Sequence, residues 1–293
     1  MNASENTKAE KNKVVGGMLY LVATPIGNMA DITERAVKVL CEVDFVAAED
    51  TRNTGRLLSH IGSDRPMVSY YEHNKKLKGE AIIERLRNGE SCALVTDAGM
   101  PAVSDPGADL VELCINNSVP VTCVPGACAA IDALALSGMK TDRFAFEGFL
   151  SANKGERRAR LEEVRYDPRT LIFYEAPHKL KTTLADMLEI FGNRRISLCR
   201  ELTKLNEEIL RLDLSGACEY YEANQPRGEY VLVLEGSSEK PSKKDEWWSE
   251  MTETEHVEYH INAGLTKNDA IRKTAKERGL SKNYVYNLLL GKK

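Results

Sequence analysis

Leu19-Tyr-Leu-Val-Ala-Thr-Pro-Ile-Gly-Asn28 is the stretch from which the fold can be read. A short apolar run leads directly into a Thr-Pro-Ile-Gly-Asn bend, and an amphipathic segment follows. Ile32, Ala36, Val37, Leu40 and Val43 recur at helical spacing, and Asp31 with Glu34 three residues on makes a capping-box pattern. The same unit of strand, turn and helix then repeats. Residues 44–48 read as the next strand and 51–61 as the next helix. A strand at 66–70 precedes a helix at 75–87, which Asn88 and Gly89 close. Strands at 91–96 and 119–124 flank a helix at 108–116, and a further helix covers 127–136. Such alternation predicts a mostly parallel sheet with helices on both faces.

Beyond residue 140 the rhythm changes. Segments 144–149, 171–175, 196–202, 209–214 and 230–234 are strand-like, fewer helices intervene, and the last two strands lack a convincing crossover helix. This predicts a second α/β domain containing antiparallel strands. The expected organisation is a disordered tail at 1–17, polar through Lys13, then α/β domains at 18–140 and 141–236. A Ser- and Lys-bearing linker at 237–248 and a C-terminal helical domain at 249–293 follow.

The helical domain has a split charge. Residues 243–264 hold six acids and two lysines, whereas 265–293 hold eight bases and two acids. Ala275, Gly279 and Val285 are spaced as a helix-turn-helix needs: a small residue at the crossing, a glycine at the turn, an apolar anchor beyond it. Ser281 is placed to cap the second helix. Lys267, Arg272, Lys273, Lys276 and Lys282 then form either a surface for a nucleic-acid backbone or a solvated basic face.

Composition narrows the class. The chain of 293 residues is long enough for about two domains. With 42% hydrophobic and 29% charged residues it reads as soluble and globular. Its net charge of −4 excludes a protein that coats nucleic acid with its whole surface. Seven cysteines, several inside apolar segments, read as reduced thiols of a cytoplasmic protein. The uncharged run 14–30 contains Gly16, Gly17, Pro25 and Gly27, so its apolar core is short for an export signal. Nothing approaches the ~20 apolar residues of a membrane helix.

Familiar chemical signatures are missing from the sequence. There is no Gly-x-Gly-x-x-Gly after a strand, no Walker A sequence and no Cys-x-x-Cys. His256 and His260 share helical spacing, but no further ligands cluster near them in sequence, so the expectation is two exposed histidines and no metal. Ser104 and Ser137 lack the context of a nucleophile elbow. What remains is four turns at the carboxyl ends of expected strands: Ala23-Thr-Pro-Ile-Gly-Asn28, Ala48-Glu-Asp-Thr-Arg52, Thr96 to Gly107, and Val124-Pro-Gly-Ala-Cys-Ala-Ala130. Each alone could be a tight connection. Together, with Asp50, Asp97 and Asp105, they predict a ligand cleft outside the strand ends.

At these residues the sequence resembles the tetrapyrrole-methylase-type methyltransferases and, more closely, the bacterial small-subunit ribosomal RNA ribose 2′-O-methyltransferase I family. The resemblance runs from Leu19 to Gly236 and rests on Val22-Ala-Thr-Pro-Ile-Gly-Asn28, Ala47-Ala-Glu-Asp-Thr-Arg52, Thr96-Asp-Ala-Gly-Met-Pro101 and Phe146-Glu-Gly-Phe149. It extends through Leu171-Ile-Phe-Tyr-Glu-Ala-Pro-His178, Arg200-Glu-Leu-Thr-Lys204 and Gly228 to Gly236. Met100 and Ala127 depart from it, standing where Thr and Pro are expected. It implies S-adenosylmethionine as methyl donor, a homodimer, and the ribose hydroxyl of a cytidine in the decoding region of small-subunit (16S) rRNA as acceptor. Carried over residue by residue, Pro25, Ile26, Gly27, Asp97, Ala98, Gly99, Met100, Cys128, Ala129 and Tyr174 line the donor pocket, and Leu202, Gly228 and Glu229 close it.

A ribose hydroxyl is a poor nucleophile, so a base or a nearby cation is expected to help. Glu49, Asp50, Glu175, His178, Glu201 and Lys204 lie on turns facing the expected cleft. Several have structural alternatives: Glu49 or Asp50 as helix caps, Glu201 with Lys204 as an ion pair. Arg52 and Arg56 either hold RNA phosphate, the role favoured by the resemblance, or are solvated, whereas the run Lys154, Arg157, Arg158 and Arg160 reads as a solvated face. Two other functions fit the same residues less well: a tetrapyrrole or small-molecule methyltransferase, and a ligand-sensing helix-turn-helix regulator.

Overall fold

The computed structural model describes residues 13–240 and 247–290. The chain forms two units, 1–236 and 237–293. The first begins with β1 (Leu19–Val22), α1 (Glu34–Glu42), β2 (Phe45–Ala48), α2 (Thr51–His60) and β3 (Met67–Ser69). It continues through α3 (Lys75–Arg87), β4 (Cys92–Val95), α4 (Gly107–Asn116) and β5 (Val121–Val124). These strands make one parallel sheet in the order β3-β2-β4-β1-β5. Side chains alternate across it. Tyr20, Val22, Val46 and Ala48 pack with α1 and α2, while Leu19, Phe45 and Ala47 pack with α3 and α4. Both faces are covered, which is why the strands read as unbroken apolar runs. Crossovers run one way from β1 to β3 and the other way from β3 to β5. The segments leaving β1 and β4 therefore diverge to opposite faces, and a crevice opens at the strand ends.

Next come α5 (Ala129–Ser137), β6 (Phe144–Phe149), α6 (Lys154–Val164), β7 (Thr170–Glu175) and α7 (Pro177–Phe191). They are followed by β8 (Arg195–Arg200), β9 (Glu208–Asp213), α8 (Leu214–Ala223) and β10 (Tyr230–Leu234). The second sheet has the order β6-β7-β10-β8-β9, with only the β6–β7 pair parallel. Leu171, Phe173, Leu198, Leu232 and Leu234 face a core completed by α6, α7 and α8. Ile172, Cys199, Val231 and Val233 face the other way, onto Ala130, Ala133 and Leu134 of α5. A boundary at residue 140 assigns α5 to the first domain, yet its buried face belongs to the second sheet. The chain has crossed over before α5 begins.

Several local expectations are corrected. Asp31 ends a short 3-10 turn (Met29–Asp31), and Thr33 caps α1 by accepting from the Ala36 amide at 3.1 Å. Thr33→Ala is expected to cost about 0.5–2 kcal/mol, read from the urea midpoint. The last two strands of the second sheet are joined by a helix after all. Asp213 caps α8 at the Gly216 amide, and Leu214, Ala217 and Tyr221 bury one stripe despite the internal glycine. Residues 14–17, placed in the tail, are packed: Val14 lies against the first core and the Gly17 amide donates to Glu90 O at 2.9 Å. Positions 1–12 of that tail lie outside the described residues. All seven cysteines are unpaired.

The basic run on α6 is only partly a solvated face: Lys154 and Arg160 are exposed, but the three arginines are all paired. Arg157 is 5% exposed, and its Nε donates to Asp186 Oδ2 at 2.8 Å. Arg158 bridges Asp186 and Glu189, and Arg160 pairs with Glu147 and Glu163. These partners lie on β6, on α7 and one turn along α6.

The second unit consists of α9 (Glu253–Asn262), α10 (Lys267–Arg278) and α11 (Lys282–Leu289) around Val257, Ala270, Ile271, Ala275 and Val285. Gly279 ends α10 with φ +64°, and Ser281 caps α11 at the Tyr284 amide. The 237–248 linker is shorter than expected at its far end, because Trp247 and Trp248 pack on His256; residues 241–246 lie outside the described residues. Those histidines are not exposed. His256 and His260 are 0% and 3% accessible, and both Nε2 atoms lie within 2.9 Å of Glu277 Oε2. Arg278 Nε donates to His256 Nδ1 at 3.1 Å, so the neutral ring carries its proton on Nε2. A nitrogen so protonated has no lone pair for a metal. Burial, more than the nearby Arg278 and His260, holds the His256 pKa below the usual histidine value. The cluster is a buried polar clasp between α9 and α10.

Candidate active site

A cavity of about 530 Å³ lies in the first unit at the carboxyl ends of β1, β2, β4 and β7. Its first wall is built from Ile26, Glu49, Asp97, Ala98, Gly99 and Met100, with Cys128 and Ala129 where α5 begins. The opposite wall is Tyr174 and Glu175 from the end of β7, then Glu201, Leu202, Lys204 and Glu229. Two loops are clamped at its base, since Thr24 and Gly99 exchange both backbone hydrogen bonds at 2.9 and 3.1 Å. Gly99 has φ +82°, and a Cβ there would stand 3.1 Å from Ile26 Cγ2. Bare backbone at this point keeps the floor open.

The far wall is held electrostatically. Lys204 Nζ lies 2.8 Å from both Glu201 Oε1 and Glu229 Oε2, and the Glu229 amide donates to Glu201 Oε1 at 2.9 Å. Burial alone would raise the Glu201 carboxyl, but Lys204 and that amide outweigh it, so its pKa falls below the usual value. Burial likewise opposes Lys204, and the two carboxylates raise it on balance. Gly228 (φ +73°) touches this ion pair, for a Cβ would meet the Glu201 carboxylate. Gly27 stands against the Lys204 chain in the same way. Gly27 and Gly228 thus back the wall rather than line the cavity. Pro25 and Asp50 also lie outside it, and His178 is exposed on the first turn of α7.

Local reading missed part of the lining. Val103, Ser104, Phe149, Cys199 and Val231 reach the cavity as well. Ala102 and Ser104 both take positive φ, 67° and 62°, turning the Thr96–Gly107 loop inward. The Pro-Gly-rich composition of that loop hinted at such a path without naming the side chains. Phe149 arrives through a break in register between β6 and β7, after which it packs edge-on to Tyr174 with ring centroids 5.3 Å apart. Burial pushes the Tyr174 hydroxyl up to about 12, so this ring is a neutral wall.

The possible proton acceptors separate by their partners. Asp50 caps α2 and grips Arg52 through both oxygens, at 3.1 and 2.6 Å, which lowers its pKa to about 2. Glu175 is engaged by the Ala176 amide, Thr183 Oγ1 and Lys179 Nζ at 2.8, 2.6 and 3.0 Å. Glu49 Oε2 accepts from Thr96 Oγ1 at 2.7 Å. Asp97 differs: burial, joined by the charges of Glu49 and Asp50, raises its carboxyl against a hydrogen bond from Asn53. It is the one carboxylate lining the cavity whose pKa moves toward neutrality among those with a resolved shift, Asp97 and Glu201.

Comparison with known proteins agrees with this geometry. The family profile of tetrapyrrole (corrin/porphyrin) methylases matches residues 18–217. A ribosomal RNA small subunit methyltransferase I from Halalkalibacterium halodurans is 48% identical over 272 residues, covering 93% of this chain and 94% of its own. The protein of the same name from Bacillus subtilis is 46% identical, with 92% and 93% covered. Among solved structures, a uroporphyrin-III-C-methyltransferase from Thermus thermophilus superposes with a TM-score of 0.55 at 19% identity, over 75% of this chain and 94% of that one. A cobalt precorrin-4 methyltransferase gives 0.53 at 14%, over 75% and 95%. The last two share the fold. With two sheets meeting at α5, a cavity at the strand ends and near-full-length relatives, the chain belongs to the ribosomal RNA small subunit methyltransferase I family of the tetrapyrrole methylase fold.

Proposed function

We propose that the protein transfers a methyl group from S-adenosylmethionine to small-subunit ribosomal RNA, at the 2′-hydroxyl of a cytidine in the decoding region. The observation that carries this reading is the cavity itself. Its volume of about 530 Å³ falls in the ~300–1,000 Å³ range of cofactor sites. The donor's chemistry fits the residues present. Ile26, Met100, Tyr174 and Val231 offer apolar surface for adenine, while the backbone of residues 97, 98 and 100 offers donors and acceptors for its amino-acid end. Carboxylates outnumber cations on the walls, which suits a sulfonium ligand. When bound, the donor supplies an activated methyl group.

The chain's own residues contribute position and a proton acceptor. Methyl transfer needs an in-line arrangement, so fixed walls supply much of the acceleration. The Thr24–Gly99 clamp and the Glu201–Lys204–Glu229 group provide that rigidity. Asp97 takes the hydroxyl proton, because its raised basicity and its place on the wall suit it better than Asp50 or Glu175. Lys204, doubly paired, and the exposed His178 are not needed for that step. Lys267, Arg272, Lys273, Lys276 and Lys282, all exposed on α10 and α11, serve as further contacts for RNA phosphate. A homodimer in the cytoplasm completes the reading; no described helix is long and apolar enough to cross a membrane.

The test is incubation with methyl-labelled S-adenosylmethionine and small subunits purified from cells lacking the enzyme. Digestion to nucleosides is expected to yield labelled 2′-O-methylcytidine. Label on a base would overturn the ribose assignment, and label only in added uroporphyrinogen would overturn the reading as a whole.

A further inference from the structure

Beside the large cavity lies a second one of about 300 Å³, on the α2 side of the same strand ends. The two share Thr96 and Asp97. Asn53, Arg56 and His60 reach it from one face of α2, at spacings of three and four. Met29 and Leu57 give it an apolar side. We propose that this second cavity seats the acceptor nucleotide of the RNA strand, with Arg56 on its phosphodiester and Asn53 orienting Asp97 toward the ribose hydroxyl. The inference rests on the RNA-methylation reading above and adds where the strand enters.

Three observations favour it. Reacting atoms in a two-ligand transfer must come within ~3–3.5 Å, so the two sites have to share a wall. Thr96 and Asp97 are that wall. The second observation is charge. The large cavity carries Glu49, Asp97, Asp105, Glu175, Glu201 and Glu229 against Lys204, a lining that repels phosphate. An RNA strand must therefore approach from elsewhere. The third is which cation is available. Arg52 is bound to Asp50 and Lys204 to two glutamates, whereas Arg56 is exposed and its side chain forms no ion pair or hydrogen bond among the described residues. Its guanidinium is ready for a phosphodiester, which accepts two parallel hydrogen bonds. Asn53 and Asp97 line the second cavity together, and the Asn53 amide favours the ionised form of Asp97, so it is a positioning residue on the shared wall.

The experiment compares wild type with Arg56→Ala, Arg56→Lys and Asn53→Ala. Binding of purified small subunits is measured without donor, over a salt series, and S-adenosylmethionine affinity by calorimetry. Arg56→Ala is expected to weaken subunit binding roughly 10–100-fold and to lower the salt slope by about 0.7–0.9, the loss of one phosphate contact. Donor affinity stays within about twofold of wild type, since Arg56 lies outside the large cavity. Arg56→Lys restores part of the loss, which separates charge from misfolding. With Asn53→Ala the acid limb of kcat moves to higher pH, because a hydrogen bond that favoured ionised Asp97 is gone. Subunit binding by Arg56→Ala equal to wild type, or a matching loss of donor affinity, overturns the assignment while wild-type methylation of rRNA persists. A wild type that neither binds nor methylates rRNA overturns the function reading and this inference with it.

Discussion

Replacing Asp97 with asparagine is expected to lower kcat by about 10²–10⁴-fold, the usual contribution of a positioned base. The residue stands where the two cavities meet, and asparagine keeps its shape while removing the proton acceptor. The pH profile carries a second signature. Burial, then the negative charges of Glu49 and Asp50, places the Asp97 pKa above the ordinary aspartate value. A base works when ionised, so wild-type kcat rises with pH through that raised pKa and then levels. The variant should lose this limb. Calorimetry distinguishes the alternative in which Asp97 binds the donor: a large rise in Kd with kcat preserved would refute the proton-acceptor role.

The second large effect is on stability. Asp186→Ala is expected to cost about 3–5 kcal/mol, measured by urea unfolding. Asp186 and Arg157 have side chains 8% and 6% exposed, and their ion pair closes at 2.7 Å. Arg158 donates to the other oxygen of Asp186 at 2.9 Å, and Arg157 also donates to the carbonyls of Ser151 and Ala152 at 3.3 Å. Removing the carboxylate strands a buried guanidinium, whereas removing both charges does not. The double variant Arg157→Met/Asp186→Leu should therefore recover most of the lost stability. A single variant within about 1 kcal/mol of wild type would show that water reaches this pair freely.

Ile32, Ala36, Val37 and Leu40 announced α1, and the apolar runs around Leu19, Phe45, Cys92 and Val121 announced a parallel sheet. Strand ends carrying Pro, Gly and Asp marked the place of the large cavity for the same reason, since those residues act through local backbone geometry. Tyr174, Ile26 and Met100, placed by motif resemblance, and Lys204, placed on a turn facing the expected cleft, lie on the cavity wall. Other features were out of reach. Helix α8 hid behind Gly216 and adjacent tyrosines, and it is held by Asp213 together with a tertiary stripe. The α6 arginines looked solvated because, Glu163 apart, their acids lie 13 to 31 residues away in sequence. His256 and His260 gave no hint of Glu277, which comes from the next helix.

What the sequence determined alone was whatever depends on neighbours within a turn or two: the order and type of most elements, some of their caps, such as Ser281, and the four bends around the cavity. Only the tertiary structure decided that α5 belongs to the second sheet, that Arg56 is available while Arg52 is not, and that Asp97 lies between two cavities. Each of those facts depends on burial and on charges brought together from distant parts of the chain. Local periodicity has no access to them, because a side chain's partner and its dielectric surroundings exist only once the sheets have packed.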